Sequence, residues 1–294
     1  MDKKKSTKKV VRQNADAADE PITVSARWLA GAFGVVLALA ALCAYATLGL
    51  LFYQGQWQLM LRPSKTITAV PQAKYDEIHF DVTETGVPQL DGWWIPAGPG
   101  SKWSRDTVLY LHGADGSLSD CVSDLDALHA LGINVFAFDY RGYGKSAGPH
   151  PDEARMTADA DAAWSYLTGM RNFGAANIVI YGTGAGASLA AELAARHAPA
   201  GMVMDGPSET ARKIIGSDAR ARILPMWLLL TQRFDPAPVL SMIAAPKLFL
   251  DRNGAKARTQ ELYREAASPK EYFELKQDNE YASTLTRFFD GVLH

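Results

Sequence analysis

The stretch from Asn177 to His197 constrains the fold of this chain more than any other. Four β-favouring residues at 178–181 run directly into the turn Gly-Thr-Gly-Ala-Gly at 182–186, and an alanine- and leucine-rich segment follows at once. This composition predicts a buried strand that passes through a tight turn into a helix. We call the turn at 182–186 the elbow.

The chain beyond residue 75 alternates between predicted strands and predicted helices. Two paired strands are expected around 78–82 and 91–96, followed by a polar loop at 98–105. Further strands are expected at 107–111, 134–138, 201–204 and 246–250, with helices at 118–131 and 159–167. Because strands that alternate with helices form parallel sheets, the sequence predicts an α/β fold with helices on both faces of a mostly parallel sheet.

Two more motifs follow buried strands. His112-Gly-Ala-Asp-Gly follows the strand at 107–111, and Asp-Tyr-Arg-Gly-Tyr-Gly-Lys-Ser at 139–146 follows the strand at 134–138. Together with the elbow they resemble the membrane-anchored, serine-aminopeptidase-like branch of the α/β-hydrolase superfamily, over roughly residues 75–290. The resemblance implies the α/β-hydrolase fold, in which the elbow has the pattern G-x-S-x-G and carries the nucleophile.

The resemblance also implies a catalytic triad, and the chain departs from it at all three positions. Gly184 stands at the nucleophile position, Ala255 at the acid position and Asn279 near the histidine position. No histidine occurs between residues 198 and 293. Since a serine hydroxyl needs a positioned base, these departures predict a catalytically inactive pseudohydrolase that serves as a binding or scaffold module.

Ser188 offers an alternative nucleophile, in a G-x-S-x-A reading of residues 186–190. That reading inserts four extra residues between the strand and the turn, so we expect Ser188 to lie in the helix after the elbow and to face the sheet. The rival hypothesis is nevertheless a serine hydrolase of esterase or peptidase type that uses Ser188. Asp205 is a spare carboxylate after the next strand, where we expect a turn residue.

Backbone groups of the two turns form the expected ligand pocket, by the same resemblance. Its residues are Gly113, Ala114, Asp115, Gly184 and Ala185, of which the His112-Gly113 loop supplies an oxyanion-hole N–H. No His/Cys/Asp cluster has metal-ligand spacing, and the glycines at 182, 184 and 186 do not fit G-x-G-x-x-G. We therefore expect neither a metal nor a cofactor.

Residues 208–245 occupy the place of the cap or lid in that family. Their apolar run Ile223–Leu230 is predicted to be either an ordinary core helix or a hydrophobic lid over an apolar ligand. The expected partners are an apolar small ligand or an envelope protein, and a purely structural partner in an envelope complex is a third hypothesis.

Trp28 to Leu61 contains no charged residue, and 24 apolar residues in a helix extend about 36 Å, enough for a hydrocarbon core of about 30 Å. We predict a transmembrane helix at 28–53 between a basic tail at 1–27 and a linker at 54–74, with the α/β-hydrolase-like domain at 75–294. A cleaved signal peptide is the alternative, disfavoured because the apolar run continues past the small residues at 44–46.

The distribution of charged residues predicts the orientation of the chain in the membrane. The tail at 1–27 holds seven of the 30 Lys/Arg residues and four of the 32 Asp/Glu residues. The positive-inside rule then predicts a cytoplasmic N-terminus, and a periplasmic domain in a bacterial inner membrane. The remaining 23 basic and 28 acidic residues form no basic footprint, which argues against a nucleic-acid partner.

Overall fold

A computed structural model describes residues 24–81, 89–252, 255–277 and 279–293. The chain forms two compact units that divide after Leu51. The first contains most of helix α1 (Ala26–Gly55). Within the described ranges, this is the one helix long and apolar enough to cross a membrane by length and composition. The predicted basic tail lies outside the described residues except for residues 24–27.

The second unit, from Phe52, is built around an eight-stranded sheet. The strands of this unit are β1 (Arg62–Pro63), β2 (Asp76–Phe80), β3 (Leu90–Ile95), β4 (Trp103–Leu111), β5 (Asp115–Gly116), β6 (Ile133–Asp139), β7 (Ile178–Thr183), β8 (Gly201–Asp205), β9 (Lys247–Asp251) and β10 (Lys270–Glu274). The main sheet has the order β10-β9-β8-β7-β4-β6-β3-β2, and only the pairs β2–β3 and β3–β6 are antiparallel. The predicted mostly parallel sheet is confirmed.

Helices cover both faces of this sheet. They are α2 (Val122–Ala130), α3 (Glu153–Ser165), α4 (Gly186–His197), α5 (Ala211–Gly216), α6 (Met226–Leu229), α7 (Ala237–Leu240), α8 (Lys256–Glu265) and α9 (Asn279–Val292). Helices α2 and α9 pack on one face, where Leu125 and Phe289 share a core with Tyr110 and Tyr181. Helix α4 packs against β7 and β8 with residues outside that core. The central strands are buried on both faces, which explains their continuous apolar sequences.

Two local predictions need correction. The segment at 54–74 is not only a linker, because Gln56, Met60 and Leu61 are buried in the second unit. Strand β1 within it pairs in parallel with β5, so this segment is tied to the loop after β4. The loop predicted at 98–105 also ends earlier, since β4 begins at Trp103, whose ring is buried against Phe289.

Residues 208–245, which we call the cap segment, contain only short helices. The apolar run Ile223–Leu230 forms the single turn of α6 instead of a core helix, and Trp227 is 85% exposed. Its interpretation as a core helix is therefore wrong. Pro225 precedes this turn directly, and Leu230 already has an extended backbone, so the helix ends after four residues.

Candidate active site

The elbow connects β7 to α4 at the carboxyl edge of the sheet. Gly184 has a φ of +53°, a left-handed conformation that strains any residue with a side chain. Its N–H donates to the Asp205 carbonyl at 3.1 Å, and its carbonyl accepts from the Ser208 N–H at 3.1 Å. These two bonds fix the residue at the nucleophile position against the loop that follows β8. The strained geometry of a nucleophile elbow is thus present.

The three glycines of the elbow differ in what an added Cβ atom would contact. A Cβ atom at Gly182 would overlap the Gly186 carbonyl oxygen, and one at Gly186 would overlap the Leu111 carbonyl oxygen. A Cβ atom at Gly184 would lie 3.3 Å from the Ser208 hydroxyl oxygen and 3.6 Å from the Gly113 Cα. The outer glycines are therefore required by close backbone packing. At Gly184 a Cβ atom would overlap no backbone atom, but it would need the Ser208 hydroxyl to move by a few tenths of an ångström and would be strained by the positive φ.

The loop after β4 brings Gly113 beside the elbow, as the sequence predicts. The next two residues, Ala114 and Asp115, are bound to residues outside the elbow. The Ala114 carbonyl accepts from the Tyr143 hydroxyl at 2.8 Å and from the Arg62 N–H at 2.9 Å, and Asp115 pairs with the Arg62 side chain at 3.2 Å. On the other side, Ala185 is the N-cap of α4, where a helix has N–H groups without an intrahelical acceptor. Gly113 and the start of α4 thus lie next to Gly184.

His112 precedes Gly113 but cannot act as a base toward Gly184. Its ring is fully buried against Tyr140 and Tyr143, and its Nδ1 donates to the Gly113 carbonyl at 2.9 Å. Burial lowers the pKa of His112 to about 4, so the ring is neutral. The 3.7 Å contact between its Nε2 and Asp139 is for that reason not an ion pair. Among the described residues, Nε2 has no hydrogen-bond partner.

The two serines nearest the elbow have different positions. Ser188 lies in α4, is buried, and its hydroxyl donates to the Phe234 carbonyl at 3.0 Å. This bond fastens α4 to the cap segment. Ser208 lies in the loop after β8, with its hydroxyl oxygen next to the place of a Gly184 side chain. Sequence reasoning missed Ser208 because its proximity depends on how that loop folds back onto the elbow.

The residues predicted at the acid and histidine positions, Ala255 and Asn279, lie at the starts of α8 and α9. Ala255 is the N-cap of α8 and has only a methyl side chain. Asn279 is the first residue of α9, and its side chain lies outside the described set, as does His294. Arg252, directly after β9, and Tyr281, in α9, lie against each other, with the guanidinium 4.9 Å from the ring centroid.

Arg252 joins a buried and a partly buried carboxylate into one group, which we call the carboxylate–arginine cluster (Asp124, Asp205 and Arg252). Its guanidinium binds both oxygens of Asp124 at 2.8 and 2.9 Å and one oxygen of Asp205 at 2.6 Å. The Tyr181 hydroxyl donates to the same Asp205 oxygen at 2.6 Å, and the Tyr281 hydroxyl donates to that of Tyr181 at 3.0 Å. Asp205 is thus not merely the turn residue that its sequence context suggests.

Burial and neighbouring charges have opposite effects on the pKa values of this cluster. Burial raises the pKa of Asp205, while the Arg252 charge and the Tyr181 hydrogen bond lower it, and the net direction is upward. The pKa of Arg252 is raised overall, because its bonds to Asp124 and the charge of Asp205 outweigh burial. The carboxylates are held by a permanent cation. The cluster has the composition of a structural ion pair, with no group free to move a proton to or from Gly184.

A cavity of about 800 Å³ lies between the cap segment and α4. Its lining combines Met226, Trp227 and Leu230 with the charged residues Glu192 and Arg233. Gly184 is not among its lining residues, so this cavity is separate from the elbow. No group of three or more His, Cys, Asp or Glu residues in the described ranges is placed to hold a metal ion.

Relatives of known sequence match part of this chain. An uncharacterized protein of Mycobacterium tuberculosis, Rv2307c, is 32% identical over 194 residues, which cover 65% of this chain and 67% of that protein. Human alpha/beta hydrolase domain-containing protein 17C is 33% identical over 118 residues, 40% of this chain and 36% of that protein. The chain thus spans two thirds of the mycobacterial protein and about a third of the human one.

Solved structures show the same fold. The esterase Pf2001 of Pyrococcus furiosus superposes with a TM-score of 0.60 at 21% identity, over 80% of this chain and 98% of the esterase. An α/β hydrolase of Vibrio vulnificus superposes with a TM-score of 0.55 at 23% identity, over 69% and 75% of the two chains. The family model for serine aminopeptidase, S33, matches residues 103–267, from the start of β4 past the end of α8. The chain belongs to this serine aminopeptidase (S33) family of α/β-hydrolase-fold proteins.

Proposed function

We propose that this protein is a membrane-anchored, catalytically inactive member of its family that acts as a binding or scaffold module. The observation that carries the proposal is Gly184, which has the strained backbone of a nucleophile elbow but no reacting atom. No backbone atom would overlap a Cβ atom at this position, so close backbone packing does not require the glycine here as it does at Gly182 and Gly186. Without nucleophile and base, the remaining frame supplies roughly 10³–10⁴-fold acceleration over water, too little for ester or amide turnover.

The rival function is a serine hydrolase with a displaced nucleophile, and the contacts of Ser188 argue against it. The Ser188 hydroxyl is buried and donates to a backbone carbonyl, so it is neither accessible nor paired with a base. Ser208 is nearer the elbow, but the neutral, buried ring of His112 faces Tyr140 and Tyr143 instead. A hydroxyl without a general base is a weak nucleophile at neutral pH.

Restoration of the triad tests the proposal. Gly184→Ser alone should leave the full chain inactive toward a small activated ester, because the new hydroxyl has no base. The triple variant Gly184→Ser, Ala255→Asp, Asn279→His should gain turnover that none of the single variants has, since the members of a triad act as a unit. Gly184→Ala is the matched control for folding. A burst of acyl-enzyme in Gly184→Ser alone would reveal a hidden base and contradict the proposal.

The anchor assigned to residues 28–53 is supported by the length and composition of α1. The basic residues before it favour a cytoplasmic N-terminus and a periplasmic domain. A reporter that is active only outside the cytoplasm should therefore be active when fused after His294. Activity of a cytoplasm-only reporter at the same place would reverse the orientation.

The ligand we propose is an apolar small molecule in the cavity beneath the cap segment. Met226, Trp227 and Leu230 give this cavity its apolar wall, and its charged lining consists of Arg212, Arg233, Glu192 and Asp235. We propose an apolar chain against the apolar wall, with a head group that pairs with an arginine. An envelope protein partner is the competing ligand, and binding of a fluorescent fatty acid to the full chain, weakened by Trp227→Ala, distinguishes the two.

A further inference from the structure

The residues that follow the first unit hold the cap segment in place. Gln56 lies five residues after Leu51 and is only 2% exposed. Its side-chain amide donates to the Leu229 carbonyl at 2.9 Å and accepts from the Thr231 N–H at 3.1 Å. Both ends of a buried amide are thereby satisfied by the backbone of the cap segment. This two-point bond attaches the cap segment to the start of the second unit.

Phe52 makes a second connection to the same segment. Its ring is 1% exposed, and the Arg220 guanidinium lies 5.5 Å from the ring centroid. Phe52 and Gln56, which both belong to the second unit, are four residues apart, so at most about 14 Å of chain separates them. The end of the predicted transmembrane segment at residues 52–53 is therefore joined to the cap segment by contacts within the second unit.

The cap segment exposes large apolar side chains close to these contacts. Ile223, Trp227 and Leu228, which we call the cap patch, are 61%, 85% and 64% exposed. Leu228 directly precedes Leu229, which accepts the bond from Gln56. A tryptophan with adjacent aliphatic residues is a composition enriched where proteins meet the lipid headgroup region. Exposed apolar residues in such a group indicate an interaction surface.

Charge around the cap patch also fits phospholipid. Residues 208–230 contain four Lys/Arg and two Asp/Glu, whereas residues 28–294 together contain 23 and 28. Arg212 and Arg222 are exposed within this stretch. Basic side chains beside an apolar patch bind the phosphate groups of lipids while the apolar side chains enter the interface.

We propose that the cap patch inserts into the headgroup region of the membrane that holds α1, with Gln56 as the residue that keeps the cap segment at that surface. This inference rests on the proposed membrane anchor. In this placement the exposed apolar side chains of the cap patch contact lipid. Continuity of the chain from the anchor through Gln56 to the cap segment is what selects lipid as the partner.

Quenching by spin-labelled lipid tests this placement. The full chain is reconstituted in nanodiscs of phosphatidylcholine and phosphatidylglycerol, with a fluorophore on a single cysteine. The cysteine is Leu228→Cys in a Cys43→Ser, Cys121→Ser background. The matched control is Met170→Cys, which is 78% exposed and lies before β7, at the opposite edge of the sheet from the cap. A third sample carries the fluorophore on the native Cys43 of α1, in a Cys121→Ser background.

A shallow spin label is expected to quench fluorescence at position 228 at least two-fold and to leave position 170 unchanged. A deep label is expected to quench at Cys43, which reports the anchor independently. Quenching at Cys43 without quenching at 228, or equal quenching at 228 and 170, overturns the cap proposal while the anchor stands. Quenching at 228 without quenching at Cys43 contradicts the anchor and overturns the proposal, because the lipid at the cap patch would then not belong to a membrane that holds α1. Quenching at neither position contradicts both.

Discussion

Removal of the cation from the carboxylate–arginine cluster should destabilise the second unit strongly. Arg252 neutralises two carboxylates, one of which, Asp205, is 2% exposed. Arg252→Met keeps the length and most of the volume of the side chain but leaves Asp205 without its cation. Breaking a buried ion pair by removal of one partner costs about 3–5 kcal/mol, because the remaining charge is buried without compensation.

The expected loss can be measured as a change in melting temperature. For a domain of this size each 1 kcal/mol corresponds to roughly 2–4 °C, so Arg252→Met should melt roughly 6–20 °C below the wild type at pH 8. The assay is circular dichroism at 222 nm during thermal unfolding of the full chain in detergent micelles. Asp205→Asn with Arg252→Met is the control, and it should recover most of the loss, because the neutral amide still accepts from Tyr181.

The loss of stability in Arg252→Met should be larger at pH 8 than at pH 5. Burial already raises the pKa of Asp205, and removal of Arg252 takes away the opposing charge, so the pKa in the folded variant rises further. A folded-state pKa above the unfolded value gives stability that is present at low pH and lost as the pH rises. The difference between Arg252→Met and wild type should therefore shrink at pH 5. A difference below 2 °C at pH 8, or a larger one at pH 5, would refute this reasoning.

Three further predictions follow from the elbow and its surroundings. Gly182→Ala should lower the free energy of unfolding by about 3 kcal/mol or more, because the added Cβ atom overlaps backbone atoms. Gly184→Ala should lower it by about 1–2 kcal/mol, because alanine is strained at a positive φ. Urea titration of the two variants compares the two losses. Burial raises the pKa of Asp139 to about 7 from 3.8, so its contribution to stability is present below pH 4 and lost toward pH 7. In Asp139→Asn the free energy of unfolding should therefore change less with pH over that range, by up to about 4 kcal/mol, which thermal melting at a series of pH values measures. Ser188→Ala should cost about 1–3 kcal/mol through the unsatisfied Phe234 carbonyl, with no effect on probe labelling.

The strands and the elbow could be predicted from sequence because their signals are local. Continuous apolar runs such as 134–138 and 178–181 mark strands buried on both faces, and the glycines of the elbow mark backbone contacts that exclude side chains. The prediction that Gly184 stands where the family has its nucleophile rests on the same local pattern. The structure adds that Gly184 has a positive φ and that a Cβ atom there would overlap no backbone atom.

The features that the sequence did not predict depend on residues far apart in the chain. Arg252 and Asp124 are separated by 128 residues, and the packing of α2 on the face of the sheet that also buries Leu248 of β9 brings them together. Gln56 and Thr231 are separated by 175 residues, so a polar residue in an expected linker gave no sign of its buried role. The cap segment was misinterpreted in part because an apolar run of eight residues has the same composition in a core helix and on an exposed surface.

Loss of the nucleophile is the central claim, and intact-mass measurement after treatment with a fluorophosphonate probe tests it most directly. The full chain in detergent is incubated with excess probe at neutral pH and compared with a heat-denatured sample. The account predicts an unmodified mass, with labelling no greater than in the denatured control. One adduct per chain that disappears in Ser188→Ala or in Ser208→Ala would contradict it and identify the serine that acts as nucleophile.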